Sequence, residues 1–193
     1  MNFNHVFFAA PHRVMFFAGA VQTLLSMSLW ALDLGARYAG LYGEPAWAMP
    51  PMWMHATLMV FGLFSFFVFG FLMTALPKWV AMGPLEQHQY VPPFLLLAAG
   101  WLLFYVGAWV RGFASIGLLL VAWGWLWGTN ELRCIVRDSM NEWKEHAHAV
   151  LMALTAGALG VLLVAAGLPS GDSGLVQAGI EIGLWLYLVP VFF

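Results

Sequence analysis

Long apolar runs that contain no charged residue are the feature that most constrains this chain of 193 residues. A helix rises 1.5 Å per residue, so about 20 apolar residues are enough to cross the bilayer's hydrocarbon layer of about 30 Å. Charged residues and prolines mark the ends of six such runs, and Pro50-Pro51 is expected to begin the second helix. The predicted spans are 14–35, 51–79, 91–110, 113–130, 147–168 and 174–193.

These runs predict an all-α, polytopic transmembrane helix bundle that forms one domain over residues 1–193 in a lipid bilayer. Only 8% of the residues are charged and 63% are hydrophobic, whereas about a quarter of the residues of a soluble domain are charged. A soluble protein is therefore excluded. An outer-membrane barrel is excluded because its strands alternate apolar and polar residues. The net charge of −2 offers no basic surface for nucleic acid.

The distribution of lysine and arginine predicts the orientation, since these residues concentrate in cytoplasmic segments. A cytoplasmic N-terminus in the bacterial inner membrane would leave only Arg37 and Arg111 outside among the seven. The chain ends in an apolar run without a flanking charge, so we expect it to be the first part of a longer multi-pass protein. Partner subunits in the membrane, or an oligomer, stay open as alternatives. Arg111-Gly112 is expected to form a tight hairpin between the third and fourth helices.

His55 is the first candidate ligand, about one turn into the second predicted helix. A neutral imidazole can ligate haem iron or another metal; alternatively, it packs and bonds to a neighbouring helix. Met52 and Met59 share its helix face at regular spacing. Thioether and imidazole suit Cu(I), although methionine also fills apolar gaps in many cores.

His146 and His148 open the fifth predicted helix, after a Ser139-x-x-Glu142 sequence that is typical of a capping box. Residues two positions apart do not share a helix face, so both histidines binding one metal ion is not favoured. The predicted topology places them across the membrane from His55. The alternative interpretation is a solvated helix end.

Glu181 lies in the middle of the sixth predicted span, with Gln177 one turn earlier. Ionisable groups inside the membrane are costly and are functional candidates by default. Glu181 would be a proton-relay group or a neutral acid bonded across helices. Gly179 and Gly183 flank it at a spacing that allows close helix packing.

Two further charged positions have local interpretations. Asp33 and Arg37 are spaced for an ion pair on one helix. Arg13, at the inner end of the first helix, would hold a phosphate or a haem propionate, or would anchor the helix at the cytoplasmic interface.

Two motifs carry a family resemblance. Pro11-His-Arg13-Val-Met-Phe16-Phe17 resembles the Pro-x-Arg-x-x-Phe-Phe opening of the NnrS family, and residues 55–79 resemble that family's second helix, from His-Ala-x-x-Met-x-Phe-Gly to Thr-Ala-x-Pro-x-Trp. The resemblance implies a multi-pass inner-membrane protein of the nitric oxide response that contains haem and copper, with His55 as a ligand. The family's second histidine and its glutamate are replaced here by Thr57 and Leu58. A copper site would therefore depend on Met52, Met59 or another helix.

The same stretch is similar to the second helix of haem–copper oxidases and nitric oxide reductases, whose His-Gly-x-x-Met-x-Phe motif carries a haem-ligating histidine near the outer face. Both resemblances point to His55, and they predict a haem-binding protein with copper as a further candidate cofactor. Two alternatives stay open. One is a haem-free metal transporter or channel entered at Met49, Met52, Met54 and His55. The other is a structural subunit of a respiratory complex. The sequence leaves open whether the protein is an enzyme.

Overall fold

The computed structural model describes residues 6–141 and 144–192, and within them the secondary structure is helical, without strands. A short 3-10 turn, Val6–Phe8, precedes six long helices. This architecture confirms the predicted helical membrane bundle. The helices are α1 (Pro11–Arg37), α2 (Pro51–Trp79), α3 (Gln87–Val106), α4 (Phe113–Asp138), α5 (Glu145–Ser170) and α6 (Ser173–Phe192).

Five of the six helices, all except α4, are long and apolar enough to cross a membrane by length and composition. The fourth helix runs for 26 residues and continues beyond the predicted boundary at 130 into a charged last segment. α3 ends at Val106 instead of 110, because the chain turns between Gly107 and Gly112 before α4 begins. The expected hairpin between α3 and α4 is therefore present, and its turn starts earlier than the sequence indicated.

Consecutive helices run in opposite directions, so their connecting segments lie at the two ends of the bundle. The His55 end contains the loop 38–50 and the turn 107–112, which are joined by a hydrogen bond from Ala48 N–H to Ala108 O at 2.8 Å. The Trp79 end contains the segments before α1, after α2 and after α4. α2 packs against α1, α4 and α6, and 67% of its most apolar segment is buried. The middle of the bundle is therefore α2, which carries His55.

Pairs of glycines allow two helix pairs to touch through their backbones. A Cβ built on Gly100 of α3 would lie 2.6 Å from the carbonyl oxygen of Gly117 of α4, and the reverse distance is also 2.6 Å. Gly160 of α5 and Gly179 of α6 repeat the arrangement at 2.7 and 2.6 Å. A real Cβ does not approach an oxygen so closely. Small residues therefore set the separation of both pairs, as they do in many membrane bundles.

Two helices contain a wide π-helical turn, at Leu58–Gly62 in α2 and at Gly183–Leu188 in α6. The two turns contact each other. A Cβ on Gly183 would lie 2.3 Å from the ring of Phe61, so the glycine makes room for that buried ring. Turns of this kind often occur at functional sites, and the first begins three residues after His55.

Ser139 does not cap α5, so the predicted capping box is wrong. Ser139 follows the end of α4, where its hydroxyl donates to Val80 O at 2.6 Å and accepts from the N–H of Asn141. α5 begins only at Glu145, with no side-chain cap at Lys144. Ser139 is therefore too far along the chain to reach the first amides of α5. Glu142, together with His5 and Trp143, lies outside the described residues.

Replacing Gly112 with alanine is expected to destabilise the protein by about 1 kcal/mol, because its φ of +88° suits residues without a Cβ. Gly43→Ala is the matched control, since Gly43 lies in a loop, has open space around it and does not have a positive φ. Thermal unfolding in detergent, followed by circular dichroism, measures the difference. Equal midpoints for the two variants would contradict the expectation.

Candidate functional site

His55 lies one turn into α2, and its ring stacks on the indole of Trp30 of α1. The ring centroids are 3.8 Å apart and the planes differ by 17°. The Nδ1 atom is buried and has no hydrogen-bond partner among the described residues. The packing thus fixes the plane of the imidazole while at least one nitrogen lacks a protein partner. This arrangement differs from a histidine that is bonded to a neighbouring helix.

Trp30 also connects His55 to an ion pair. The Arg37 guanidinium lies 5.7 Å from the centroid of the Trp30 ring, a distance typical of a cation–π contact. Asp33, which is 1% exposed, pairs with Arg37 and accepts a hydrogen bond from Trp47 Nε1 at 3.0 Å. The ion pair expected from the i, i+4 spacing is therefore present. Trp30, Asp33, Arg37, Trp47 and His55 are called the Trp30 cluster below.

Two clefts open at the same end of the bundle. A cleft of about 590 Å³ is bordered by Asp33, Arg37 and Trp47 of the Trp30 cluster, together with Pro51 and Arg111. Arg111 also borders a second cleft, of about 660 Å³. Both volumes lie in the range of small-molecule sites, about 300–1,000 Å³. His55 does not line either cleft; it is one helical turn beyond Pro51.

Arg111 has no ion-pair or hydrogen-bond partner among the residues that the structure describes. Together with Arg37 it places two guanidinium groups at the first cleft. Guanidinium groups recognise carboxylates and phosphates. Asp33 and Glu44 border the same cleft, and Asp33 pairs with Arg37, so among the described residues Arg111 is the guanidinium that is available to an anionic group of a ligand.

The methionines proposed for copper occupy different surroundings. Met52 is 61% exposed, whereas Met54 is 2% exposed in the core. Met59 is half-buried and belongs to the π-helical turn. Because that turn departs from regular helical spacing, the face that the sequence assigned to Met52, His55 and Met59 does not follow from i, i+3 and i+7 positions alone. A copper site at these residues stays a prediction.

His146 and His148 lie at the Trp79 end and are exposed. The His146 ring is 5.3 Å from that of Trp79. Within residues 6–141 and 144–192, no group of three or more histidine, cysteine, aspartate or glutamate side chains is arranged to hold a metal ion. Arg13 is at the same end, where its guanidinium donates to Val6 O at 2.9 Å. It is therefore remote from any group bound at His55.

Glu181 is exposed on α6, and its Oε1 accepts a hydrogen bond from Gln177 Nε2 at 2.8 Å. The alternative of an acid bonded across helices is thus wrong for the described part of the chain, because the bond connects two residues of one helix. The proton-relay role stays a prediction. Gly179 and Gly183, by contrast, take part in close packing against α5 and α2 as their spacing indicated.

Sequence reasoning missed Trp30 and Trp47 as parts of the site. Tryptophans near the ends of membrane helices are commonly interfacial residues, so neither position indicates a site by itself. One available signal was the depth of each residue in the membrane. Residue 30 is close to the end of the first span, and residue 55 is close to the start of the second. A short loop between antiparallel helices brings such positions level with each other.

Replacing Asp33 with leucine is expected to destabilise the protein by about 2–3 kcal/mol. The change removes a buried carboxylate and leaves Arg37 and the Trp47 N–H without their acceptor. The value is at the low end for buried pairs because Arg37 is 32% exposed and can turn to water.

The matched control is Asp138→Leu, which removes an ion pair whose members are 72% and 55% exposed and should leave the stability nearly unchanged, because solvent screens such a pair. The double variant Asp33→Leu/Arg37→Leu should recover part of the lost stability, because no unpaired charge remains. Unfolding midpoints in detergent measure all three variants. A double variant less stable than Asp33→Leu would contradict the ion-pair explanation.

The bundle and the cluster at its His55 end define a helical membrane protein with one candidate ligand-binding histidine. A family model described as NnrS protein matches residues 6–193. The chain belongs to the NnrS family. No curated protein and no solved structure matches it.

Proposed function

We propose that this NnrS-family protein binds a haem at the His55 end of the bundle, with His55 as an iron ligand, and acts in the nitric oxide response of the bacterial inner membrane. The observation that carries the proposal is the packing and hydrogen bonding of the His55 ring. Its ring is held against Trp30, and its buried Nδ1 has no hydrogen-bond partner among the described residues. Iron ligation requires a neutral imidazole with an available lone pair and a fixed plane.

The surroundings of His55 support a metal ligand. A buried polar atom without a partner costs on the order of 1–3 kcal/mol, and coordination of a metal by the imidazole is an interaction that offsets such a cost. The Arg111 guanidinium, which has no partner among the described residues, borders the adjacent cleft and would suit a propionate carboxylate of a haem. The indole of Trp47 lines the same cleft and offers apolar surface for a flat macrocycle.

Each member of the Trp30 cluster has a part in this proposal. Trp30 fixes the plane of the imidazole, Asp33 holds Arg37 over the indole, and Trp47 ties the loop 38–50 to α1 through Asp33. Residues of that loop border the cleft. A haem bound there would supply the redox change and a coordination position for a small ligand such as nitric oxide.

Copper is the second candidate at the same residue. Met49 borders both clefts at the His55 end, so a thioether is available there in addition to the imidazole. Thioether and imidazole favour Cu(I). This observation favours the metal-transporter alternative, in which Met49 and His55 lie on the entry path.

Absorption spectra and metal analysis of the purified protein test the proposal. The protein is extracted from bacterial membranes in mild detergent, and haem is quantified as the pyridine haemochrome beside copper. One haem per chain, with a Soret band that shifts when nitric oxide is added to the reduced protein, is the expected result. Colourless protein with stoichiometric copper would favour the metal-handling alternative. Protein without either cofactor would favour a structural subunit and overturn the proposal.

A further inference from the structure

A third cleft, which is apolar, lies between α1 and α3, away from the Trp30 cluster. Its volume is about 220 Å³, and its wall includes the aromatic rings of Phe17, Phe66, Phe94 and Trp101. Phe17 and Leu102 at its border are 59% and 61% exposed. Since these helices are long and apolar enough to span a membrane, the mouth of the cleft faces lipid. We call it the Gln22 cleft after the polar residue in its wall.

Gln22 is buried, with 3% of its surface exposed, and its Nε2 makes no hydrogen bond among the described residues. The residue lies near the middle of the 27-residue α1, far from water at either end. An amide without a partner in apolar surroundings is costly. A Cβ on Gly62 would lie 2.7 Å from Gln22 Nε2, so the amide occupies space that exists because the π-helical turn has a glycine there.

Neighbouring polar groups already have partners. Trp101 Nε1 donates to Ser65 Oγ at 3.2 Å, and the hydroxyls of Ser26 and Tyr105 are 2.9 Å apart. Gln22 is therefore the polar side chain of the cleft wall whose donor lacks a partner; its Nε2 is enclosed beside Gly62 and would reach the cleft by rotation of the side chain. A ligand that brings an acceptor to this position would satisfy it.

We propose that the Gln22 cleft binds the head group of a lipophilic carbonyl compound of the quinone class, which enters from the bilayer. The aromatic wall favours a flat ring over a flexible chain, and the amide N–H donates to a ring carbonyl oxygen. The volume suits one substituted ring, while an isoprenoid tail stays in the lipid. Phospholipids fit this role less well, because their ester and phosphate acceptors lie at the membrane interface and not at mid-depth.

The test compares two ligands of similar shape on the full chain in phosphatidylcholine nanodiscs without quinone. One is a short-chain benzoquinone, and the other is an alkylbenzene with matching substituents but no carbonyl. Calorimetric titration gives a dissociation constant for each ligand. We expect the wild-type protein to bind the quinone about five to ten times more tightly, as one hydrogen bond to a buried donor allows.

Two variants and one control make the test specific. Gln22→Leu keeps the volume and removes the donor, so the preference for the quinone should disappear while alkylbenzene binding stays. Ala98→Phe fills the cleft, which Ala98 borders, and should abolish binding of both ligands. Gln177→Leu removes an exposed glutamine from α6 and should behave as wild type. Unfolding midpoints verify that each variant is folded.

An unchanged quinone preference in Gln22→Leu would overturn the proposal, as would wild-type binding by folded Ala98→Phe. Equal affinity of the wild-type protein for the two ligands would mean that only lipid-like occupants use the cleft, and would overturn it as well. The haem content of Gln22→Leu should equal that of the wild type. A failure of this inference is therefore distinguishable from a failure of the haem proposal.

Discussion

Replacing His55 with alanine is expected to remove the haem absorbance from the purified protein, whereas replacing His148 with alanine should leave the spectrum unchanged. His55 is the histidine of the described residues whose ring stacks on Trp30 and whose buried nitrogen has no partner. His148 is exposed at the opposite end of the bundle. The alanine side chain has no lone pair for iron, so the effect should be a loss of binding and not a shift in affinity.

The measurement is the ratio of Soret to protein absorbance, with haem quantified separately as the pyridine haemochrome. The unfolding midpoint of His55→Ala serves as the check on folding, because loss of the stack on Trp30 should cost only about 1 kcal/mol. A folded His55→Ala protein with a full complement of haem would contradict the assignment of His55. Loss of haem from His148→Ala with retention in His55→Ala would place the site at the Trp79 end.

Replacing Gly160 with leucine is expected to destabilise the bundle by about 3 kcal/mol, the upper end for overpacking. A Cβ at this position would lie 2.7 Å from Gly179 O and 2.9 Å from the ring of Phe61. One neighbour is backbone and the other is a fully buried ring, so neither moves easily. The side chain would force α5 and α6 apart, and both would lose dispersion contacts along their length.

Gly43→Leu is the matched control, since the space around Gly43 is open and the expected effect is within about 0.5 kcal/mol. Thermal or SDS-induced unfolding of the purified protein compares the two variants. Gly100→Leu should resemble Gly160→Leu, because Gly100 makes the same backbone contact between α3 and α4. If Gly160→Leu and Gly43→Leu unfold at the same midpoint, the close approach of α5 and α6 is not what stabilises the bundle.

The helices could be predicted because the thickness of the hydrocarbon layer sets the length of each apolar run, and charged residues mark where each run ends. Pro51 begins α2 and Gly112 immediately precedes α4 for reasons that the sequence contains: proline suits the first turn of a helix, and glycine permits the positive φ. The π-helical turn at Leu58–Gly62 has no such local signal. It is packed against the turn that begins at Gly183, more than a hundred residues later in the chain.

The site was predictable only where its chemistry is visible in one residue or one helix. His55 is an unusual residue in an apolar run, and Asp33 with Arg37 has helical spacing. Trp30 joins them through contact between two helices, which the spacing within each helix does not reveal. Gln22 carried a signal that was available, since a polar side chain in the middle of a span is costly.

The wide turn after His55 has a consequence for how this helix can vary. A π-helical turn holds one residue more than a regular turn, so it rotates the preceding segment relative to the rest of the helix. The direction in which the imidazole points can therefore change without a change in the packing of Phe66, Phe69 and Leu72, which lie in the core of the bundle. Deleting a single residue from 58–62 would rotate His55 away from Trp30, while the part of α2 after the π-helical turn would keep its neighbours. The number of residues in this one turn thus sets the direction in which the His55 side chain points.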